Sequence, residues 1–298
     1  EQELALLGDV ARARGGVARV ALRVNPNVDH AAAGHAYITT GEPGSKFGID
    51  VGRALDAARL AMALPALELV GLDMHIGSQI GDVAAFAAAQ RRLRALLDEV
   101  RAAGATTIRW IDVGGGFPVA YAAGEPMADL AGFAQALREH FGDAGVQLIV
   151  EPGRFLVAEA GVLLTEVLYR KTSGRKAFVV IDAAMNDLLR PSLYEAHHAI
   201  EPVLPLDAPT VTADVVGPVC ETGDFLATDR AVIDAPVGTL LAIRDAGAYG
   251  SVMSSNYNTR PRAAEVLVQG AQWGVAVARE TLDDLVRRER AAPEWRDA

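Results

Sequence analysis

TTIRWIDVGGGFP, residues 106–118, is a short apolar run that stops at three consecutive glycines. An apolar run without polar alternation reads as a strand buried on both faces, and glycines at its end allow backbone to approach a neighbour or ligand closely. Three other segments share the layout: VARVALRVNPN (17–27), LELVGLDMHIGS (67–78) and VQLIVEPGR (146–154). Helix-period stretches such as GRALDAARLAMAL (52–64) and DVAAFAAAQRRLRALLDEVRAAG (82–104) lie between them. This alternation predicts a parallel sheet, either doubly wound or part of a (β/α)8 barrel. His75, Gly114 to Gly116, Glu151 and Arg154 all fall where a strand gives way to a loop, the rim at which barrels gather their chemistry. Four such units make half a barrel.

Beyond residue 155 the texture changes. FLVAEAGVLLTEVLYRK (155–171) runs through the turn TSGR into KAFVVIDAAM (176–185), a hairpin pattern. TVTADVVGPVC (210–220), TLLAIRDAGAYG (239–250) and RAAEVLVQGAQWGVAVA (262–278) add short β-rich runs, and ETLDDLVRRER (280–290) closes as a helix. The expected fold class is α/β plus β: a partial (β/α)8 TIM-like barrel over residues 1–160, then a mostly antiparallel β-domain over 161–298.

Composition narrows the function. The 298 residues are 51% hydrophobic and 22% charged, as in a globular protein, with a net charge of -10. That charge and the lack of a dense Lys/Arg run argue against nucleic acid as a partner. No apolar run is long enough to span a bilayer, so no membrane partner is expected. The opening EQELALLGDVARARGG is polar and helix-like, without a signal-peptide layout. The single cysteine cannot form an intrachain disulfide, which fits a reducing cytoplasm.

Several residues stand out as candidates. Glu151 is followed at once by Pro-Gly-Arg: an acid fixed at a strand end, a glycine for close backbone approach and an arginine for an anion. A solvated acid is the commoner fate of any one Glu; the four residues together favour a site. The triple glycine exposes backbone N–H groups suited to a phosphate, although a bare tight turn would look the same, and its spacing is not that of a dinucleotide-binding loop. His75 ends an apolar strand, a place for a core histidine or a ligand contact. His30, His35 and His140 read as loop or helix surface. The pair His197-His198 invites a metal reading, but adjacent residues point to different sides and no ligand set completes it, so no metal is expected. Arg190 and Tyr194 in LLRPSLYEAHHAI are spaced to reach one carboxylate, and Tyr249 sits in a small-residue loop.

Taken in order, HIGSQ (75–79), GGGF (114–117), EPGR (151–154), RPSLY (190–194), CETGD (220–224), AGAYG (246–250) and SNYNTRPRAAEVLV (255–268) resemble the signatures of the diaminopimelate decarboxylases. These are pyridoxal-phosphate enzymes of the alanine-racemase fold. The resemblance runs from RVNPNVD (23–29) through PRAAEVLV (261–268), and GSKFGID (44–50) is similar to the same branch. It implies pyridoxal 5'-phosphate as cofactor and a homodimer whose C-terminal domain completes the site across the interface. It further implies that His75 stacks on the pyridine ring, that Gly115, Gly116, Gly153 and Arg154 hold the phosphate, that Glu151 pairs with the ring nitrogen, and that Tyr249 touches the cofactor. On the substrate side it implies that Arg154, Arg190 and Tyr194 bind the distal carboxylate of meso-2,6-diaminopimelate and Glu221 its ammonium. Cys220 would return a proton to the carbon that loses CO2, yielding L-lysine, the last step of lysine biosynthesis. A thiol, with a reference pKa near ~8.5, is protonated at neutral pH yet able to give its proton up.

One departure stands against the resemblance. The family carries its cofactor as a Schiff base on a lysine at a barrel-strand end, in a motif like A-x-K-A-N. Here the only lysines are Lys46, Lys171 and Lys176, in a Gly/Pro loop and about a hairpin turn. The sequence also starts with Glu and shows four βα units. The expectation is a decarboxylase fragment missing its N-terminal segment, inactive alone and poorly soluble through exposed strand edges. The alternatives are a decarboxylase for another basic amino acid or a carboxylated polyamine precursor, and a non-catalytic regulatory homologue. A Rossmann oxidoreductase falls with the glycine spacing.

Overall fold

The computed structural model describes residues 1–28, 46–125, 127–293 and 295–296. The chain divides into two units, Glu1–Leu156 and Val157–Ala298. His30 and His35 lie outside the described residues.

The first unit contains α1 (Gln2–Ala13), β1 (Ala18–Asn25), β2 (Ile49–Asp50), α2 (Val51–Ala63), β3 (Leu67–Asp73), α3 (Val83–Ala102), β4 (Trp110–Asp112), α4 (Leu130–Phe141), β5 (Gln147–Ile149) and α5 (Gly153–Val157). Its five strands form one sheet in the order β2-β1-β3-β4-β5, and every neighbouring pair is parallel. The half-barrel reading expected four strands; β2 is the fifth, too short to carry an apolar signature. Three helices start in the same way. Asp50, Asp82 and Asp129 each accept a hydrogen bond from a backbone N–H in the first turn of α2, α3 and α4, satisfying a donor that the helix itself leaves unpaired. The core packs Leu22, Leu69, Leu72, Ile111 and Val113 of the sheet segments with Phe86 and Leu97 of α3. Phe117 and Phe133 join Phe86 in a cluster of edge-to-face and stacked rings. β5 departs from the expected burial on both faces: Leu148 and Ile149 remain about two-fifths exposed.

Register decides where the chemistry gathers. Arg23 pairs with Asp73, Asp73 with Asp112, and Asp112 with Ile149, one row across the sheet at its C-terminal edge. Two residues beyond these strand ends come His75, Gly114 and Glu151.

The second unit is a mixed sheet. β6 (Leu163–Ser173), β7 (Lys176–Ile181), β8 (Ile200–Pro202), β9 (Thr210–Val216), β10 (Phe225–Ile233) and β11 (Leu240–Ile243) order as β10-β9-β7-β6-β11-β8. The β6–β7 hairpin turns at Gly174, whose φ of +60° suits glycine. The domain is mostly antiparallel, as expected, but β7 and β9 pair in parallel. β12 (Glu265–Gln269) and β13 (Gln272–Val277) form a separate hairpin with Trp273 72% exposed. α6 (Arg190–Tyr194) follows β7, and α7 (Leu282–Val286) opens with a capping box between Thr281 and Asp284. The core joins Val167, Ile181, Leu188, Leu226 and Ile243.

Candidate functional site

In the first unit the loop 114–116 lies flat against its neighbours. A Cβ on Gly115 would stand 2.0 Å from the carbonyl oxygen of Glu151, and one on Gly116 would stand 2.2 Å from that of Gly77. Gly114 and Gly116 also have φ values of +70° and +92°. No other residue fits this loop, which keeps main-chain amides close to the sheet edge.

The imidazole of His75 is fixed by that loop. Gly115 N–H donates to His75 Nδ1 at 3.2 Å. An amide only donates, so Nδ1 carries the lone pair and the ring is neutral with its proton on Nε2. The approach of Glu151 Oε2 to Nδ1 at 3.8 Å is therefore not an ion pair. Burial, with help from the charge of Arg23, lowers the His75 pKa in the same sense.

Beside it sit three carboxylates. Ligand-capable oxygens of Asp73, Asp112 and Glu151 lie within 4.8 Å of one another. Burial first, then the charges of Asp112 and Glu151, pushes the Asp73 carboxyl up to about 7. Asp73 Oδ1 is buried and accepts no hydrogen bond from a described residue. Burial and Asp112 raise Glu151 as well. Asp112 Oδ1 accepts from Gly114 N–H at 2.9 Å. Arg154 is buried at 8% exposure, and its Nη1 and Nη2 donate to the hydroxyls of Tyr121 at 2.9 Å and Ser78 at 3.2 Å. Gly153 N–H donates to the Glu151 carbonyl, folding the EPGR turn into α5.

The second unit assembles the other candidates. Cys220 and Glu221 lie on the loop joining β9 to β10, and Cys220 is exposed. Asp224 shapes that loop by accepting from the N–H groups of Met185 and Val219, each at 2.7 Å. Ser192 of α6 donates to the Gly223 carbonyl at 2.6 Å, tying the RPSLY turn to CETGD. Tyr257 O–H donates to Glu221 Oε2 at 2.6 Å. Arg190 is buried, Tyr194 half-buried, and Tyr249 exposed with φ +58°. His197 and His198 differ as the alternation argument expected: His198 is fully buried, His197 is not.

Residues 1–158 match the profile of the pyridoxal-dependent decarboxylase, pyridoxal binding domain. Diaminopimelate decarboxylase of Neisseria meningitidis is 47% identical over 97% of this chain and 70% of its own length. The chain belongs to the diaminopimelate decarboxylase family. The Aquifex aeolicus diaminopimelate decarboxylase is 42% identical over 96% of this chain and 67% of its own. The solved Helicobacter pylori diaminopimelate decarboxylase, complexed with L-lysine, superposes with a TM-score of 0.90 at 40% identity, covering 96% of this chain and 70% of that one.

The first-unit geometry suits a cofactor of this pyridoxal family. Three crowded acids, among them the half-buried Asp73, call for a cation, the glycine loop and Arg154 for an anion, and the neutral His75 ring offers a flat face beside Gly115 and Glu151. The lysines do not complete it as the family pattern would. Lys46 precedes β2 with its ammonium over the Phe47 ring, Lys171 lies over Phe178, and Lys176 pairs with Asp214. Sequence reasoning passed over Asp73 and Asp112, although each stands two residues ahead of a residue it singled out. Ser78, Ser192 and Tyr257 stand inside HIGSQ, RPSLY and SNYNTRPRAAEVLV without a role read for them, Tyr121 lies outside every motif, and all four become visible through their hydrogen bonds.

Proposed function

We propose that the protein decarboxylates meso-2,6-diaminopimelate to L-lysine and CO2, working as a cytoplasmic homodimer with residues 1–160 as its cofactor domain and 161–298 completing the site. The observation that carries this reading is the convergence of His75, Gly115 and Glu151 at one sheet edge, in a chain of this family. Pyridoxal phosphate, when bound, supplies the sink for the electron pair released as CO2 leaves.

The chain's own residues do the rest. The Glu151 carboxylate holds a proton on the ring nitrogen, and His75, locked neutral by Gly115, lays its face on the ring. The loop at Gly115 and Gly116 and the EPGR backbone at Gly153 and Arg154 cradle the phosphate. Tyr249 borders the cofactor. Arg154, Arg190 and Tyr194 take the distal carboxylate, and Glu221, oriented by Tyr257, takes the neighbouring ammonium. A site that hydrogen-bonds a group rejects analogues lacking it, which excludes ornithine at this end. Cys220 holds the proton that returns to the carbon that gave up CO2.

The test is kcat/KM of the complete gene product for meso-diaminopimelate against ornithine, arginine and lysine. Diaminopimelate is expected to lead by at least a hundredfold; turnover led by another of the four would overturn the assignment.

A further inference from the structure

Arg190, assigned above to the distal carboxylate, is only 5% exposed, and its Nη1 lies 2.8 Å from Nε2 of His198. His198 is wholly buried, and its Nδ1 lies 2.8 Å from the carbonyl oxygen of Arg244. A carbonyl only accepts, so Nδ1 bears the hydrogen. A guanidinium only donates, so Nε2 supplies the lone pair. Both contacts require the same neutral tautomer. The backbone of His198 is held too, because Arg230 Nη1 donates to its carbonyl.

We propose that His198 is a positioning residue for Arg190: it engages one guanidinium N–H from behind and sets the plane of the fork that receives the substrate's distal carboxylate. The proposal rests on the functional reading above, since it names what aims a residue of that site. An arginine side chain has many rotamers to lose when it is held in one geometry. A fixed neutral acceptor removes that freedom in advance without cancelling the charge, as a carboxylate partner would. The surroundings preserve neutrality. Arg190 on α6, Arg230 on β10 and His197 all oppose a positive charge on His198, Arg244 contributes its backbone carbonyl, and Asp245 interacts with Arg190. Burial first, and these charges after it, lower the His198 pKa to about 4, although the Arg244 carbonyl acts in the opposite sense.

The experiment compares wild type, His198→Leu and His198→Gln in the complete, pyridoxal-phosphate-loaded gene product. Leucine removes the acceptor; glutamine restores one near the Nε2 position. Losing a hydrogen bond to a charged group is expected to raise KM for meso-diaminopimelate tenfold or more in His198→Leu, with kcat within about threefold, and His198→Gln should recover most of the loss. Inhibition by L-lysine, which keeps the distal carboxylate, should weaken in parallel. Inhibition by 1,5-diaminopentane, the same chain without a carboxylate, should not change. Equal weakening of both inhibitors, or an unchanged KM, would overturn the proposal. Nitrogen-15 NMR of the wild-type imidazole at neutral pH gives a reading independent of turnover and of how the variants fold. A protonated Nδ1 and bare Nε2 support the pair, and the opposite tautomer overturns it. Wild type inert toward diaminopimelate would instead sink the functional reading, and the carboxylate role with it, whichever tautomer is found.

Discussion

Replacing Asp73 by Asn should stabilise the cofactor-free protein at alkaline pH. Asp73 sits in register with Asp112, close to Glu151, and its carboxyl is raised to about 7, chiefly by burial. A raised folded-state pKa means that the native state holds this proton more tightly than the unfolded chain does. The penalty is therefore absent below the unfolded value, near ~3.9, and grows as pH rises through about 7. At ~1.4 kcal/mol per pH unit the ceiling is about 4 kcal/mol. Glu151 is half exposed, so water screens part of the repulsion. About 1–2 kcal/mol is the expected gain at pH 8, shrinking to nothing near pH 4. Urea unfolding followed through Trp110 on β4, in a background where Trp273 and Trp295 are Phe, reads this unit alone. Bound pyridoxal phosphate should erase the difference, because its ring cation neutralises the cluster. An Asn variant less stable than its parent at pH 8, or a difference independent of pH, would refute the reasoning.

Three further outcomes follow. Glu151→Gln should lower kcat by roughly a hundredfold or more, since a neutral amide cannot keep the ring cationic; steady-state turnover measures it. Cys220→Ala should lose about a hundredfold or more in kcat with little change in diaminopimelate KM, and Cys220→Ser should fall between. Gly116→Ala should destabilise the first unit by about 2–4 kcal/mol, because its φ is +92° and the new methyl would meet the Gly77 carbonyl; urea unfolding through Trp110 reads this as well.

Much of this was legible in the sequence, for identifiable reasons. β3 announces itself as an apolar run ending near His75, because a strand covered on both faces leaves no room for polar alternation, whereas in β1 exposed Arg19 and Ala21 alternate with buried Val20 and Leu22. β2 was not visible: Ile49–Asp50 is two residues long and has no period. β10 hid for the opposite reason, since Thr228, Asp229 and Arg230 break its apolar run while Leu226, Ala227 and Val232 on either side stay buried. The parallel β7–β9 pairing is a property of the folded topology and no local signal encodes it. Within the site, glycines and Glu151 stood out because their spacing is unusual, whereas Asp73 and Asp112 looked like ordinary strand-end acids until register put them side by side. His198 was weighed only as a metal ligand beside His197; its role depends on Arg190 and on the Arg244 carbonyl, 46 residues away in the chain.

A crystal structure of the complete gene product with pyridoxal phosphate and L-lysine tests the account most directly. It should place the ring on the face of His75, the Glu151 carboxylate at about 2.9 Å from the ring nitrogen, and the phosphate on Gly115 and Gly116. The lysine carboxylate should lie on Arg190. A cofactor bound away from the edge formed by β3, β4 and β5, or a ring nitrogen facing a group other than Glu151, would contradict it.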